Sequence, residues 1–140
     1  MVARLLITVS LFLLPLLTGG CSLHHQSPKG DQTAKIVSVT KNDIALKPAG
    51  SYEECVALKR GQVIVYKFNS TNPVDFNIHY HLEDAVKYPV MESEITEYDG
   101  TFNPEKDRIN LDNEEYFCLM WENQDFRQLK LSYECMVKEK

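Results

Sequence analysis

Residues 74–83 read Val74-Asp75-Phe76-Asn77-Ile78-His79-Tyr80-His81-Leu82-Glu83, with hydrophobic and polar side chains in alternation. Successive side chains of a β-strand point to opposite faces of the sheet. This stretch therefore predicts a strand with one face in a core and the other facing water or a partner. The core face is predicted to carry Val74, Phe76, Ile78, Tyr80 and Leu82, and the polar face Asp75, Asn77, His79, His81 and Glu83.

Further strands are predicted on either side, because short runs of β-branched and aromatic residues lie between turn residues. They cover residues 35–40, 51–58, 62–69, 86–90, 108–111, 117–121 and 129–137. Turn residues predict a turn over 70–73, a long loop over 98–113 around its one short strand, and a hairpin over 123–127. Sustained helical periodicity is missing from residues 35–140. The sequence thus predicts an all-β fold, an antiparallel β-sandwich of about eight strands.

The amino terminus has the pattern of an export signal. Arg4 precedes an apolar run over residues 5–17, which is shorter than the roughly 20 residues of a membrane-spanning helix and typical of a secretory signal. The run ends in Leu17-Thr18-Gly19-Gly20-Cys21. This ending resembles the lipobox of bacterial lipoproteins, although Thr18 stands where they usually have Leu, Val or Ile. The resemblance implies a signal peptide over 1–20, a lipidated cysteine and flexible tether over 21–34, and a β-sandwich domain over 35–140.

Attachment and charge narrow the expected location and partners. The two or three acyl chains of a lipoprotein give effectively permanent attachment to a membrane. Ser22 follows the cysteine, whereas an Asp there would resemble an inner-membrane retention signal, so we expect the outer membrane, facing the periplasm. The chain carries a formal net charge of −5, which argues against a nucleic-acid partner because phosphates would be repelled.

Three cysteines remain after Cys21, in a compartment that permits disulfides. Alternation places Cys55 and Cys118 on outward faces of their strands, whereas Cys135 shares a face with Leu131 and Tyr133 and points inward. Bridged cysteines usually have Cα atoms roughly 4.4–6.8 Å apart, and they need converging Cβ vectors, which opposite faces of a sheet cannot supply. The sequence therefore predicts a Cys55–Cys118 bridge and a buried free thiol at Cys135.

Residues 50–137 resemble the GOLD domain, a β-sandwich of early-secretory cargo receptors and some lipid-transfer proteins. The resemblance lies in a glycine that leads into a strand over 61–68, a strand over 74–78 that begins after a turn, and the stretch 116–123 followed by 130–133. In 116–123 the residues that match the family's aromatic-x-Leu-x-aromatic-Asp-Asn ending are Phe117, Leu119, Trp121, Glu122 and Asn123. Membership would imply recognition of a protein or a lipid, without a shared catalytic site.

His79 and His81 form the constellation that most resembles a ligand site. Two residues apart on a strand, they share a face at about 7 Å between Cα atoms. With Met91 they would suit copper, and with Glu83 they would suit zinc; the alternative is a polar outer face that contains two histidines.

Motifs typical of enzymes are missing: there is no GxSxG elbow, no P-loop and no HExxH. We therefore expect a non-catalytic binding or adaptor domain for an envelope protein or a lipid, with no required cofactor. The alternative function is periplasmic copper or zinc binding through His79 and His81.

Overall fold

This computed structural model describes residues 37–140 of the chain. These residues form six antiparallel strands and the connections between them. They are β1 (Val37–Leu46), β2 (Ser51–Leu58), β3 (Gln62–Leu82), β4 (Ala85–Phe102), β5 (Glu115–Glu122) and β6 (Leu129–Glu139). The predicted all-β, antiparallel class is confirmed. Within these residues no helix is long and apolar enough to cross a bilayer. The predicted signal peptide, Cys21 and the tether lie outside the described residues.

The strands form one curled sheet that we divide into two half-sheets. The strand order is β1-β6-β3-β5-β2, and β4 pairs with β3 along both halves. In the first half-sheet, β6 lies between β1 and the first part of β3. In the second, β5 lies between β2 and the last part of β3. β3 therefore belongs to both half-sheets, and β4 is an edge strand, as Pro89 indicates.

A bend in β3, and not a turn, carries the chain between the half-sheets, so the turn predicted over 70–73 is wrong. β3 continues through these residues, and its register with β4 shifts between Asn69 and Val74. The Ser70 hydroxyl donates to the carbonyl of Asn72 at 2.7 Å. Turn residues are tolerated here because β3 exchanges β6 for β5 as its second neighbour at this point. Proline has no backbone N–H, and no hydrogen bond from Pro73 to β5 or β6 is required between the two paired segments.

The continuity of β3 and the lack of a strand over 108–111 reduce about eight predicted strands to six, and β1 and β4 extend beyond their predicted ends. β1 continues beyond residue 40 through an irregularity between Lys41 and Ile44, where Asp43 has a φ of 54°. β4 includes residues 98–102, which were predicted as the start of a loop, because Gly100 pairs with Tyr66. Residues 108–111 form no strand. Bulges and a paired glycine let polar stretches remain in the sheet.

The connection between β5 and β6 crosses between the half-sheets, so the hairpin predicted over 123–127 is wrong. β5 pairs with β2 and β3, while β6 pairs with β1 and β3. The buried Asn123 amide holds the crossing by donating to the carbonyls of Leu46, Lys47 and Arg127 at 2.8–3.2 Å. The two hydrogens of this side-chain amide are thus shared among three backbone carbonyls where the chain crosses.

The core lies between the inner faces of the two half-sheets. Phe68 packs edge-on against Trp121 at 5.7 Å between ring centroids, and Phe102 contacts Phe117 at 5.1 Å. The inward faces predicted for residues 117–121 and 129–137 are confirmed, since their alternate side chains are buried. The prediction that Leu82 lies in the core is wrong. Its side chain is 52% exposed, because Leu82 is the last residue of β3, at the hairpin with β4.

Candidate binding face around His79

The outer face of the second half-sheet carries a buried polar cluster. Asn77 and His79 are 8% and 5% exposed, although alternation predicts that they face water or a partner. Their neighbours on this face bury them: His79 lies opposite Cys118 of β5, and Asn77 lies between Met120 of β5 and Met91 of β4. The His79 cluster is defined here as Glu53, Asn77, His79, His81 and Tyr88 together with the bridge between Cys55 and Cys118.

Both ring nitrogens of His79 have polar partners. Its Nε2 lies 2.9 Å from Oε1 of Glu53, and its Nδ1 lies 2.9 Å from Oδ1 of Asn77. The Tyr88 and His81 rings each lie 5.6 Å from the His79 ring, measured between centroids. Three strands thus converge on one imidazole: β2 supplies Glu53, β3 supplies Asn77 and His81, and β4 supplies Tyr88. Such a fully partnered ring is fixed in orientation.

The predicted disulfide is confirmed, and it lies beside this ring. Cys55 and Cys118 occupy directly opposed positions on β2 and β5, with a Cα–Cα separation of 4.0 Å. Because both side chains point outward, as alternation predicts, the bridge forms part of the outer face. Cys135 is the buried free cysteine, also as predicted. Burial, and to a smaller extent the Glu54 carboxylate, raises the pKa of its thiol to about 12.

The predicted metal donors are only partly brought together. His79 and His81 share the outer face, but both ring nitrogens of His79 already have partners, Glu53 at Nε2 and Asn77 at Nδ1. Glu83 lies beyond the last residue of β3, at a φ of 49°. Met91 lies opposite Asn77 and is 68% exposed. In residues 37–140 the closest group of three ionisable donor side chains is a different one, Glu53 with Cys55 and Cys118, whose sulfurs are bonded to each other.

Exposed apolar side chains surround one side of the His79 cluster, and the sequence pattern did not single them out. We define this apolar rim as Tyr88, which also belongs to the cluster, with Val86 and Tyr116 on the same face and Leu82 at the adjoining end of β3, all 39–59% exposed. Val86 pairs with His81, and Tyr116 lies two residues before Cys118 along β5. Alternation over 86–90 could have located Val86 and Tyr88 on one face, but it cannot show whether anything covers that face. The apolar Phe126, which is 85% exposed, lies elsewhere, on the β5–β6 connection.

The outer face of the first half-sheet carries a groove, which is separate from the His79 cluster. It is an open groove of about 1030 Å³ lined by β1, β3, β4 and β6. Lys67 and Glu134 form an ion pair across it at 3.1 Å, and Glu97 and Asp99 add negative charge. Both partners of the ion pair are more than half exposed, so the pair is weak, and the groove lacks the buried polar side chains that the His79 cluster contains.

A carboxylate also enters the interior between the half-sheets. The Tyr133 hydroxyl donates to Oε2 of Glu54 at 2.5 Å, and Tyr52 lies beside both, with its hydroxyl 3.4 Å from that of Tyr133. Burial and the Glu54 hydrogen bond raise the pKa of Tyr133. Alternation places Glu54 on the inward face with Tyr52 and Val56, which is the signal that could have predicted it. Its partners make it a structural contact.

The side chains of the His79 cluster are held in place by their contacts with one another. The Glu53 carboxylate and the Asn77 amide each contact the His79 imidazole. The two cysteine sulfurs form a disulfide, which leaves no free thiol in the cluster. Polar groups ordered in this way beside exposed aromatic and aliphatic side chains are typical of contact surfaces. Comparison of the sequence with protein-family models and with curated proteins finds no match to either.

Proposed function

We propose that this protein is a lipid-anchored, non-catalytic binding domain of a bacterial envelope. Acyl chains on Cys21 hold it to the outer membrane on the periplasmic side, and the outer face around His79 contacts a partner in the envelope. The export signal and the lipobox-like ending at Cys21 support the anchor. The resemblance of residues 50–137 to the GOLD domain supports recognition of a protein or a lipid.

One observation carries the assignment of the binding face. His79 is 5% exposed on a sheet face that no other layer of the described residues covers, and apolar side chains up to 59% exposed surround it. Contiguous exposed apolar side chains next to polar groups are a mark of interaction sites. A rigid polar centre with an aromatic border also matches the composition of recognition surfaces, which are enriched in tyrosine.

Fractionation of cells that carry Cys21→Ser tests the anchor. We expect the natural chain in the membrane fraction, resistant to a high-salt wash, and the variant in the soluble fraction, because serine cannot form the thioether to diacylglycerol. A Cys21→Ser chain that remains in the washed membrane fraction would show that the lipoprotein assignment is wrong.

Photo-crosslinking in intact envelopes tests the binding face. A benzophenone amino acid replaces Tyr116 in one chain and Phe126 in a matched control, since both positions are exposed on different parts of β5 and its connection. We expect a defined adduct from position 116 and none of the same mass from position 126. Equal adducts from both positions would contradict a binding face around His79.

A metal function for the same face has one observation in its favour, the proximity of the His79 and His81 rings. Copper or zinc would have to displace either the Glu53 contact at Nε2 or the Asn77 contact at Nδ1. Calorimetric titration of the full chain tests this function. Metal binding should be lost when His79 and His81 are both replaced by alanine. It should be kept in a control in which His24 and His25, the two histidines of the predicted tether, are replaced by alanine. Binding that follows the control histidines would reject the metal function.

A further inference from the structure

The described chain enters the domain at the same end as the apolar rim. Four neighbouring strands are in register at this end of the first half-sheet. Val37, the first described residue, pairs with Val137 of β6, and Ile64 of β3 pairs with both Val137 and Phe102 of β4. The Phe102 ring then contacts Phe117 across the core at 5.1 Å. Phe117 in turn contacts Tyr80 at 5.3 Å, two residues before Leu82 of the rim.

This juxtaposition follows from the bend in β3. The strand leaves the Val37 end in the first half-sheet and returns toward it in the second, as the Tyr66–Phe76 contact at 5.4 Å shows. The β3–β4 hairpin, with Leu82 and Val86, therefore ends near the point where the chain enters. Phe126 lies at the other end, because the β5–β6 connection joins the far ends of those two strands.

From these positions we infer that the partner of the apolar rim is the lipid surface of the membrane that holds the anchor. This inference rests on the proposed lipidation of Cys21. Residues 22–36 connect Cys21 to Val37, and a chain of that length spans no more than about 60 Å. The connection therefore joins the domain at the end that carries the rim, and a tether of this length makes contact between that end and the bilayer effectively intramolecular.

The side chains of the rim suit an interface between lipid and water. Tyr88 and Tyr116 can place their rings among acyl chains and their hydroxyls at the headgroups, as aromatic residues do at membrane surfaces. Leu82 and Val86 add aliphatic surface at the tip. Glu83 and Asp84 form the turn between them, and their charges disfavour anionic headgroups. We therefore expect contact with zwitterionic lipid that is driven by apolar burial and is too weak, without lipid on Cys21, to hold the chain in a washed membrane fraction.

Quenching by brominated lipids tests this placement in the full lipidated chain. Tyr88→Trp and Phe126→Trp place a probe at each end of the domain, and the native Trp121 is 1% exposed in the core and gives the same background in both. Each chain is reconstituted into phosphatidylcholine vesicles with bromines near the headgroup. We expect quenching of the probe at position 88 and none at position 126, with unchanged circular dichroism.

Outcomes for the anchor and for the docking are distinguishable. Failure of the natural chain to float with the vesicles would overturn the anchor and the docking together. Flotation with equal quenching at positions 88 and 126, or with no quenching at 88, would overturn the docking alone and leave a protein partner for the rim. A second measurement uses a Cys21→Ser chain, which lacks the lipid, and its partition into these vesicles. Replacing both Leu82 and Val86 by serine in that chain should weaken the partition about tenfold or more, whereas Phe126→Ser should not weaken it. Equal effects of the two changes would contradict the inference.

Discussion

The imidazole of His79 is held between a carboxylate and an amide, on a face where β-strand side chains ordinarily meet water. Its two nitrogens contact Glu53 and Asn77 at 2.9 Å each. A buried polar group without a partner costs about 1–3 kcal/mol, so each partner is a condition for burying the ring. The rigidity of this face depends on these few contacts, and they can be removed one at a time.

Removal of the Glu53 carboxylate should destabilise the fold. In Glu53→Ala the Nε2 of His79 loses its partner, and we expect a loss of about 1–2 kcal/mol in the free energy of unfolding, reduced from the buried value because Glu53 is partly exposed. Urea denaturation measures it, with Glu97→Ala, an exposed glutamate of β4, as the control. Equal midpoints for the two variants would mean that the contact contributes nothing.

The thiol of Cys135 should make the fold sensitive to alkaline pH. Burial raises its pKa from 9.0 to about 12, so between these values the unfolded chain loses a proton that the folded chain keeps. The contribution is complete below about pH 9 and is lost as the pH rises toward 12. We expect the free energy of unfolding of the natural chain to fall more steeply from pH 9 to 11 than that of Cys135→Ala.

The β3–β4 ribbon shows how an element can depend on one missing side chain. Gly100 of β4 lies opposite Tyr66 of β3, and a Cβ built on Gly100 would lie 2.7 Å from the Tyr66 hydroxyl and 2.9 Å from its Cζ. Tyr66 is buried and also packs on Phe76 and Tyr98, so its ring cannot move aside freely. The aromatic ring covers the glycine and keeps β4 in the sheet.

Gly100→Ala should therefore be destabilising, although alanine is a common residue. Overpacking costs about 1–3 kcal/mol, and we expect a loss in that range from the clash with Tyr66. Thr101→Ala at the next, exposed position is the control. Thermal unfolding compares them, and a Gly100→Ala chain as stable as the control would show that Tyr66 yields without cost.

Periodicity in the sequence predicted the strand faces well and their connections poorly. The inward positions of Phe117 and Trp121 and the outward position of Cys118 follow from alternation, and the disulfide follows from those faces. The continuity of β3 through Pro73 and the pairing of Gly100 depend on neighbouring strands far away in the sequence, which local patterns do not encode. The burial of His79 likewise needs Glu53 from β2 and Tyr88 from β4, whose positions only the sheet order supplies.

At the scale of the whole molecule, one covalent bridge stabilises the second half-sheet. Cys55 and Cys118 are 63 residues apart in sequence, and they join the edge strand β2 to β5 beside the candidate binding face. Closing a loop of this length stabilises the fold by about 4 kcal/mol in the chain-entropy model. The bridge holds β2 against β5 next to that face.

Removal of the bridge should lower stability without changing the fold class. We expect Cys55→Ala with Cys118→Ala to lose up to about 4 kcal/mol in urea denaturation, while far-ultraviolet circular dichroism continues to report a β-sheet protein. Reduction of the natural chain should shift the midpoint in the same direction. A midpoint that neither change moves would contradict a stabilising role for the bridge.

The proposed attachment of this β-sheet domain to a membrane by lipid on Cys21 is tested most directly by the mass of the protein extracted from its own membranes. We predict that the chain begins at Cys21 and that its first residue carries the added mass of a diacylglyceryl group. A chain that begins elsewhere, or that begins at Cys21 with an unmodified thiol, would contradict the account.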